Sequence, residues 1–433
     1  MGIEARFGVG RVTRFYVPLL LQAFSQSLSY PLVAGIVTHG AHGVDALTAF
    51  SQGLMIMFMI GAIGGGLVTT GLVFAKTRFG YETFGRLNTM MMVALLALQC
   101  LPALAPFSTW IFEGFFNLPP ELAEISRWTL LFGIFMNAGF FLRNVPMVVL
   151  FNHLESGKAN NATLVRIVVT LALSVVLPRM GFVGPAWGLF ALTFGVWVET
   201  LVTWVYARPY IAKLPVSPAP QSELGVQMRP PTSSLLIEQF RFTLPLALGG
   251  LLLACSPLVI AWFVARSADP AEMLSIHYVA IGVANPVAFA ALRMQTVAVK
   301  FLPEFPGDRR LLAYAIVAGL VLGLVPLLFS APRVGDWYFG VFQNMPQRTI
   351  PTARLAVGIY SLICIIQAVR ARIEGIAAAR KRPDAIMKGQ IAYTVSLLIV
   401  CATLLPLGVA GWAMAVMAIF VAPMGVTAED TSL

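Results

Sequence analysis

Charged residues are scarce in this sequence. Only 11% of its 433 residues are Asp, Glu, Lys or Arg, whereas soluble globular chains carry about 25%. Hydrophobic residues make up 58%. This composition excludes an ordinary soluble domain, because such long apolar stretches cannot stay in water, and it predicts an integral membrane protein.

Cysteine and histidine are also few, with four of each. None of them has the spacing of a metal site, and no GxSxG, HExxH or Walker-type motif occurs. We therefore expect no enzyme, no metal centre and no cofactor. The net charge is +10, but the basic residues lie in short segments beside apolar runs, which argues against nucleic acid as a partner.

Long apolar runs fill most of the chain. A helix needs about 20 apolar residues to cross the hydrocarbon core. Twelve runs meet this length, so the sequence predicts an all-α polytopic membrane protein with twelve transmembrane helices. The predicted spans are 14–37, 45–75, 86–107, 124–152, 162–180, 182–206, 241–265, 274–302, 310–331, 351–378, 386–406 and 408–427.

The basic residues predict the orientation. With the N-terminus inside, the segments on the cytoplasmic side hold about 20 of the 29 Lys and Arg residues, and the outer side holds about 6. Both termini are therefore predicted to be cytoplasmic, in a membrane that we expect to be the bacterial inner membrane.

The two halves of the chain resemble each other. RFYVPLLL (14–21) matches RFTLPLAL (241–248), and GFVGPAWGLFAL (181–192) matches GVAGWAMAVMAI (408–419), both at nearly the same offset along the chain. Six spans per repeat give both copies the same orientation, so the repeat is parallel. We predict an N-lobe at 1–207, a Pro- and Ser-rich cytoplasmic linker at 208–236 and a C-lobe at 237–433.

Ionisable side chains inside the spans point to a function. Arg143 in span four and Arg370 in span ten are separated by the same offset as the repeat, so they are predicted to face each other across a central cleft. Arginine forms forked pairs with carboxylate or phosphate, which suits an anionic substrate. Alternatively, both reach towards the interface, or Arg370 pairs with Glu374 at i,i+4. Arg293 in span eight is a third candidate cavity residue.

Uncharged polar residues complete the candidate substrate site. Gln26 and Ser29 in span one and Gln52 in span two have the residue types that line a polar cavity, although hydrogen bonds between helices would explain them as well. Glu199 is expected to reach the cytoplasmic end of span six. The scarcity of carboxylates within the spans argues against a cation or drug antiporter.

The chain resembles a known superfamily of flippases. The segments VPLLL (17–21), GLVFAKT (71–77), SPLVIAWFVAR (256–266) and QAVRARIEG (367–375) are similar to those of the MATE-like (MOP) superfamily, and within it to the progressive ankylosis protein family. This resemblance implies a MATE-like fold, alternating access and export of small multivalent anions such as pyrophosphate, nucleotide or citrate.

The sequence thus predicts a transporter that exports small anions. We expect it to act as a monomer whose partners are the anionic substrate and membrane lipids. Three alternatives stay open: a flippase for a lipid-linked anionic sugar or lipid, a cation-coupled multidrug antiporter, and a membrane scaffold without transport. A groove open to lipid, an acidic aromatic cavity and a closed dry bundle would respectively distinguish them.

Overall fold

The computed structural model describes residues 7–216, 232–301, 309–343 and 345–430, without the side chains of 26–28, 232, 271 and 423–430. These residues form helices, and no strand occurs among them. The α-helices are α1 (Val9–Thr38), α2 (Gly43–Ile63), α3 (Gly65–Phe74), α4 (Arg78–Cys100), α5 (Pro120–Asn152), α6 (Ser156–Arg179), α7 (Pro185–Ala212), α8 (Thr232–Val264), α9 (Pro270–Ala291), α10 (Met294–Lys300), α11 (Arg309–Leu327), α12 (Pro332–Gly335), α13 (Ile350–Tyr360), α14 (Ile363–Ala379), α15 (Pro383–Leu404) and α16 (Gly411–Asp430).

The helices have the length and composition of membrane spans. Eleven helical stretches of the described chain are long and apolar enough to cross a bilayer, and Gly411–Ala422 is a shorter apolar helix where the twelfth span was predicted. The all-α, twelve-span polytopic fold is therefore confirmed. Several helices exceed the length a straight crossing needs; α5, with 33 residues, is about 50 Å long against a core of about 30 Å.

Three predicted spans are interrupted helices. Span two is divided into α2 and α3 at Gly64, span eight into α9 and α10 at 292–293, and span ten into α13 and α14 at 361–362. A Cβ at Gly64 would lie 2.6 Å from the ring of Phe141, so glycine lets α5 pack directly against the interruption. Apolar composition alone does not reveal such breaks, because the run continues through them.

The internal repeat is visible in two irregular elements. A 3₁₀ turn at Leu101–Ala103 and a π-helical segment at Thr109–Phe115 in the first half recur at Leu328–Ser330 and Asp336–Phe342 in the second. Each element in the second half follows its counterpart in the first half by the number of residues that separates Arg143 from Arg370. This is also the offset of the sequence matches. Because π-helical segments are rare, their recurrence at one offset supports a duplicated structure.

The chain folds into two compact units, which divide α1 and α8. The first unit comprises Met1–Phe24 and Leu248–Leu433, and the second comprises Ser25–Ala247. The lobes predicted at 1–207 and 237–433 rest on the sequence repeat and stay a prediction. In the linker predicted at 208–236, α7 continues to Ala212 and α8 begins at Thr232, while 217–231 lie outside the described residues.

Each unit is built around one helix. In the second unit α5 packs against α2, α3, α4, α6 and α7. In the most apolar stretch of α5, 72% of the residues are buried, whereas the share is 28% in the corresponding stretches of α4 and α6. In the first unit α14 packs against α9, α10, α11, α13, α15 and α16. A buried charged residue on α5 or α14 is therefore surrounded by protein rather than lipid. Arg143 lies on α5, and Arg370 lies on α14.

Candidate functional site

Among the described Asp, Glu, Lys and Arg residues, four are buried. They are three arginines and one glutamate: Arg143 with 7% of its surface exposed, Arg166 with 2%, Arg370 with 4% and Glu199 with 0%. Burying an ion is costly unless other groups pair with it. These four residues are therefore the natural candidates for a functional site.

Glu199 joins two of the arginines in the second unit. Its Oε1 lies 2.8 Å from Nη1 of Arg143, and its Oε2 accepts a hydrogen bond from Nη1 of Arg166 at 3.0 Å. The hydroxyl of Thr163 donates to Oε1 at 2.5 Å. One carboxylate on α7 therefore connects α5 and α6. We name Arg143, Arg166 and Glu199 the buried triad.

Glycines allow these helices to come close enough for the triad to form. A Cβ at Gly195 would lie 2.4 Å from the hydroxyl of Thr170 on α6, and a Cβ at Gly139 would lie 2.8 Å from Val196 on α7. Gly195 stands at i−4 from Glu199, and Gly139 stands at i−4 from Arg143, so each glycine is one turn from a charged residue on the same face. Small residues at such contacts let membrane helices approach.

The buried triad carries an excess positive charge. Two guanidiniums share a single carboxylate, which leaves a net charge of about +1, since arginine stays protonated in proteins. Three buried nitrogens, Nε of Arg143 and Nε and Nη2 of Arg166, have no hydrogen-bond partner among the described residues. The contact of Nη1 of Arg143 with Glu199 is short but lies outside hydrogen-bond geometry. The triad thus has both charge and donors to offer an anion.

Tyr30 on α1 lies near the same arginines. It interacts electrostatically with both Arg143 and Arg166 and stacks edge-on against Phe58 of α2, with 5.0 Å between ring centroids. The guanidinium of Arg143 also lies over the ring of Phe140, 4.9 Å from its centroid. Aromatic faces are favourable neighbours for a cation that has left water.

Arg370 has its own partners in the first unit. Its Nε lies 3.3 Å from Oε1 of Glu374, the i,i+4 pair that the sequence offered as the alternative to substrate contact. Gln390 donates to the same oxygen of Glu374, and the guanidinium of Arg370 lies 5.5 Å from the ring centroid of Tyr393. Its charge is therefore balanced within its own helix. A role in substrate binding, opposite Arg143 across a cleft, stays a prediction.

The other predicted site residues are spread over α1, α2 and the turn between α9 and α10. Arg293 is half-buried in that turn, 5.9 Å from the ring centroid of Phe289. Ser29 on α1 is buried and Gln52 on α2 is half-buried; the Oγ of Ser29 and the Oε1 of Gln52 have no hydrogen-bond partner among the described residues. The side chain of Gln26 lies outside the described part. Their contact with substrate stays a prediction.

The structure corrects one expectation and adds one residue. Glu199 was expected to reach the cytoplasmic interface, but this was wrong, because it is fully buried between two arginines. Arg166 was missed, although it lies within predicted span five. Arg166 precedes Gly181 by as many positions as Glu199 follows Gly184, so the turn between the two glycines brings both side chains to equal depth on antiparallel helices. Their opposite charges could have predicted the pair.

The architecture is similar to that of solved transporters. The eukaryotic MATE transporter AtDTX14 aligns with a TM-score of 0.72 at 13% identity, over 98% of this chain and 94% of its own. A MOP superfamily transporter from Pyrococcus furiosus aligns with a TM-score of 0.70 at 15% identity, over 98% and 95%. The MATE transporter VcmN of Vibrio cholerae gives 0.64 at 14%, over 98% and 97%. No known family model and no curated protein sequence matches the chain. The fold is therefore MATE-like.

Proposed function

We propose that this protein is a membrane transporter that exports small multivalent anions by alternating access. The MATE-like fold supports transport, since structures that align over nearly the whole chain include those of transporters. Pyrophosphate, nucleotide and citrate are the substrates we put forward, as the resemblance to the progressive ankylosis family implies.

The observation that supports an anionic substrate is the excess positive charge of the buried triad. Glu199 balances only one of Arg143 and Arg166, and buried N–H groups of both arginines are left without acceptors among the described residues. An unsatisfied buried charge or donor is expensive, so the free energy of the empty site favours an incoming anion. Arginine also matches the planar, bidentate geometry of carboxylate and phosphate oxygens.

The polarity of the binding pocket is not the same throughout this fold. For the Pyrococcus furiosus transporter, the reversed polarity of the pocket suggests a different function for that protein. The fold is therefore compatible with substrates of either charge, and the side chains of the pocket determine which charge a given protein binds. Here three of the four buried charged residues in the described part are arginines.

A cation-coupled multidrug antiporter is the second candidate. The scarcity of carboxylates within the spans argued against it, but Glu199 is a fully buried carboxylate in the second unit. The same MATE architecture occurs in a multidrug resistance transporter that aligns with a TM-score of 0.69. We rank this function second because Glu199 is already held by two arginines, which leaves it no excess negative charge for a cationic drug.

Flux measurements in proteoliposomes test the proposal. Liposomes containing the purified protein are loaded with labelled pyrophosphate, and efflux is compared with that of a cationic dye. We expect Arg143→Ala and Arg370→Ala to lower anion efflux by about ten- to a hundredfold, because a hydrogen bond to a charged group contributes about 1.5–3 kcal/mol.

Arg78→Ala is the matched control. Arg78 also pairs with a glutamate, Glu82 at 2.7 Å, but it is exposed, so its loss should leave efflux unchanged. Anion flux that is equal in the wild type, Arg143→Ala and Arg370→Ala would refute the proposal. Transport of the dye in place of pyrophosphate would favour the antiporter.

A further inference from the structure

We infer that Glu199 is a built-in competitor for the transported anion, and that anion binding to the buried triad is coupled to protonation of this carboxylate. The inference rests on the proposed function and deepens it, because it says what makes the two arginines available to the anion. In the empty site Glu199 holds Arg143 and Arg166. When an anion binds, Glu199 takes up a proton and releases the two guanidiniums.

The carboxylate of Glu199 contacts the two arginines in the way that a bound substrate anion would. Its two carboxylate oxygens each face one arginine, at 2.8 Å for Arg143 and 3.0 Å for Arg166. The oxygens of a substrate carboxylate or phosphoryl group would lie against the same two guanidiniums. The substrate and the Glu199 carboxylate are both negatively charged, so they cannot contact the two arginines at the same time. They therefore compete for Arg143 and Arg166.

Charge counting favours one proton per divalent anion. Two guanidiniums, an ionised Glu199 and a divalent anion would carry a net charge of about −1 in a site shielded from water, which is costly. Glu199 takes up one proton from the bulk solution, delivered by a hydronium ion that becomes water, and this brings the net charge of the site to zero. The proton ends on Glu199, and the anion takes the guanidinium contacts that the carboxylate leaves.

Thr163 provides a partner for the protonated form. Its hydroxyl donates to Oε1 of Glu199 at 2.5 Å and lies 3.3 Å from the carbonyl oxygen of Ala159. A hydroxyl both donates and accepts, so it can turn its hydrogen to Ala159 and accept the new O–H of Glu199. The protonated carboxyl therefore keeps a hydrogen bond after it releases the arginines.

Among the described groups that contact Arg143 and Arg166, the Glu199 carboxyl is the one acid, so it is the group that can take up a proton. Arg143 on α5 and Arg166 on α6 face it and stay protonated, since arginine is not deprotonated in proteins, and Tyr30 on α1, near both arginines, is a neutral phenol. Asp45, the charged residue of α2, lies in the first turn of that helix.

Sulfate binding to the purified wild-type protein and to Glu199→Gln tests the inference. Sulfate stays divalent from about pH 5 to 8, so any pH dependence belongs to the protein. We expect wild-type affinity to rise as the pH falls, approaching about tenfold per pH unit, the slope for one linked proton. Glu199→Gln mimics the protonated carboxyl, so it should bind sulfate at least about tenfold more tightly than the wild type at pH 8 and show no pH dependence.

Glu82→Gln is the control for net charge. Glu82 is exposed and pairs with Arg78 at 2.7 Å, so this variant removes the same charge outside the triad and should bind sulfate as the wild type does. If Glu199→Gln cannot be obtained folded, the slope of wild-type affinity against pH decides alone.

The outcomes separate the inference from the proposed function. Sulfate binding that is lost in Arg143→Ala, but equal in the wild type and Glu199→Gln and independent of pH, would overturn the competitor role and keep the anion transporter. Weaker binding in Glu199→Gln would overturn it as well, because Glu199 would then assist the anion. Absence of sulfate and pyrophosphate binding in every variant would remove the proposed function itself.

Discussion

Because two arginines share one carboxylate, we predict that removing the carboxylate destabilises the protein more than removing one of the arginines. Glu199→Ala leaves Arg143 and Arg166 buried without their common counter-ion. Removing one partner of a buried ion pair costs about 3–5 kcal/mol, so the loss of both pairs should cost at least that much. Arg166→Met instead leaves Arg143 and Glu199 as a balanced pair, so we expect it to cost only about 1.5–3 kcal/mol, the contribution of one hydrogen bond to a charged group.

The double variant gives the sharper test. In Glu199→Ala/Arg166→Met a single unpaired arginine stays buried, so the second substitution should restore part of the stability that the first one removed. Independent effects would add, whereas charge sharing predicts a double variant more stable than Glu199→Ala alone. The free energy of unfolding, measured by denaturant titration of the purified protein in detergent micelles, distinguishes the two.

The reasoning fails if the double variant is as unstable as the sum of the single ones. It also fails if Glu199→Ala and Arg166→Met lower the free energy of unfolding equally, because the triad would then contribute by packing rather than by charge. Glu82→Gln, at the exposed pair with Arg78, is the reference and should change stability by less than about 1 kcal/mol.

Two further predictions concern packing and a buried hydrogen bond. Gly195→Ala should lower the melting temperature, because the new Cβ would lie 2.4 Å from a threonine hydroxyl of α6, whereas Gly157→Ala, with nothing within 4 Å, should leave it unchanged or raise it. Equal shifts would contradict the close approach of α6 and α7. Tyr360→Phe should cost about 1–3 kcal/mol in the free energy of unfolding, because its hydroxyl lies 2.9 Å from Nδ1 of the buried His277. An unchanged free energy of unfolding would show that this contact contributes nothing.

The sequence predicted the fold well because its strongest signals were long apolar runs and a repeat. Twelve runs corresponded to eleven long apolar helices and one shorter one, and the offset of the sequence repeat reappeared in the two π-helical segments. The helix interruptions at 292–293 and 361–362 were not predicted, because the apolar run resumes directly after each of them. The division of α1 and α8 between the compact units was not predicted either, because it depends on contacts between distant segments.

The candidate site was only partly predictable, and the reason lies in which helices are neighbours in sequence. Arg166 and Glu199 are on consecutive helices joined by a tight turn, so equal distances from the turn would have paired them. Arg143 lies on α5, and its contact with α7 depends on how the helices of the unit are arranged, which no local pattern encodes. Its position within a span was predicted, but its partner was not.

The two repeats treat their equivalent arginines differently, and this difference bears on function. At the offset of the repeat Arg143 corresponds to Arg370, but Arg166 corresponds to Tyr393 and Glu199 to Val426. Arg370 therefore lacks a second arginine and is neutralised by Glu374 on its own helix. A duplicated chain that needed its central arginines only for structure would have no reason to keep an unbalanced charge in one copy. The excess charge of the buried triad costs stability, and binding an anion there would recover it.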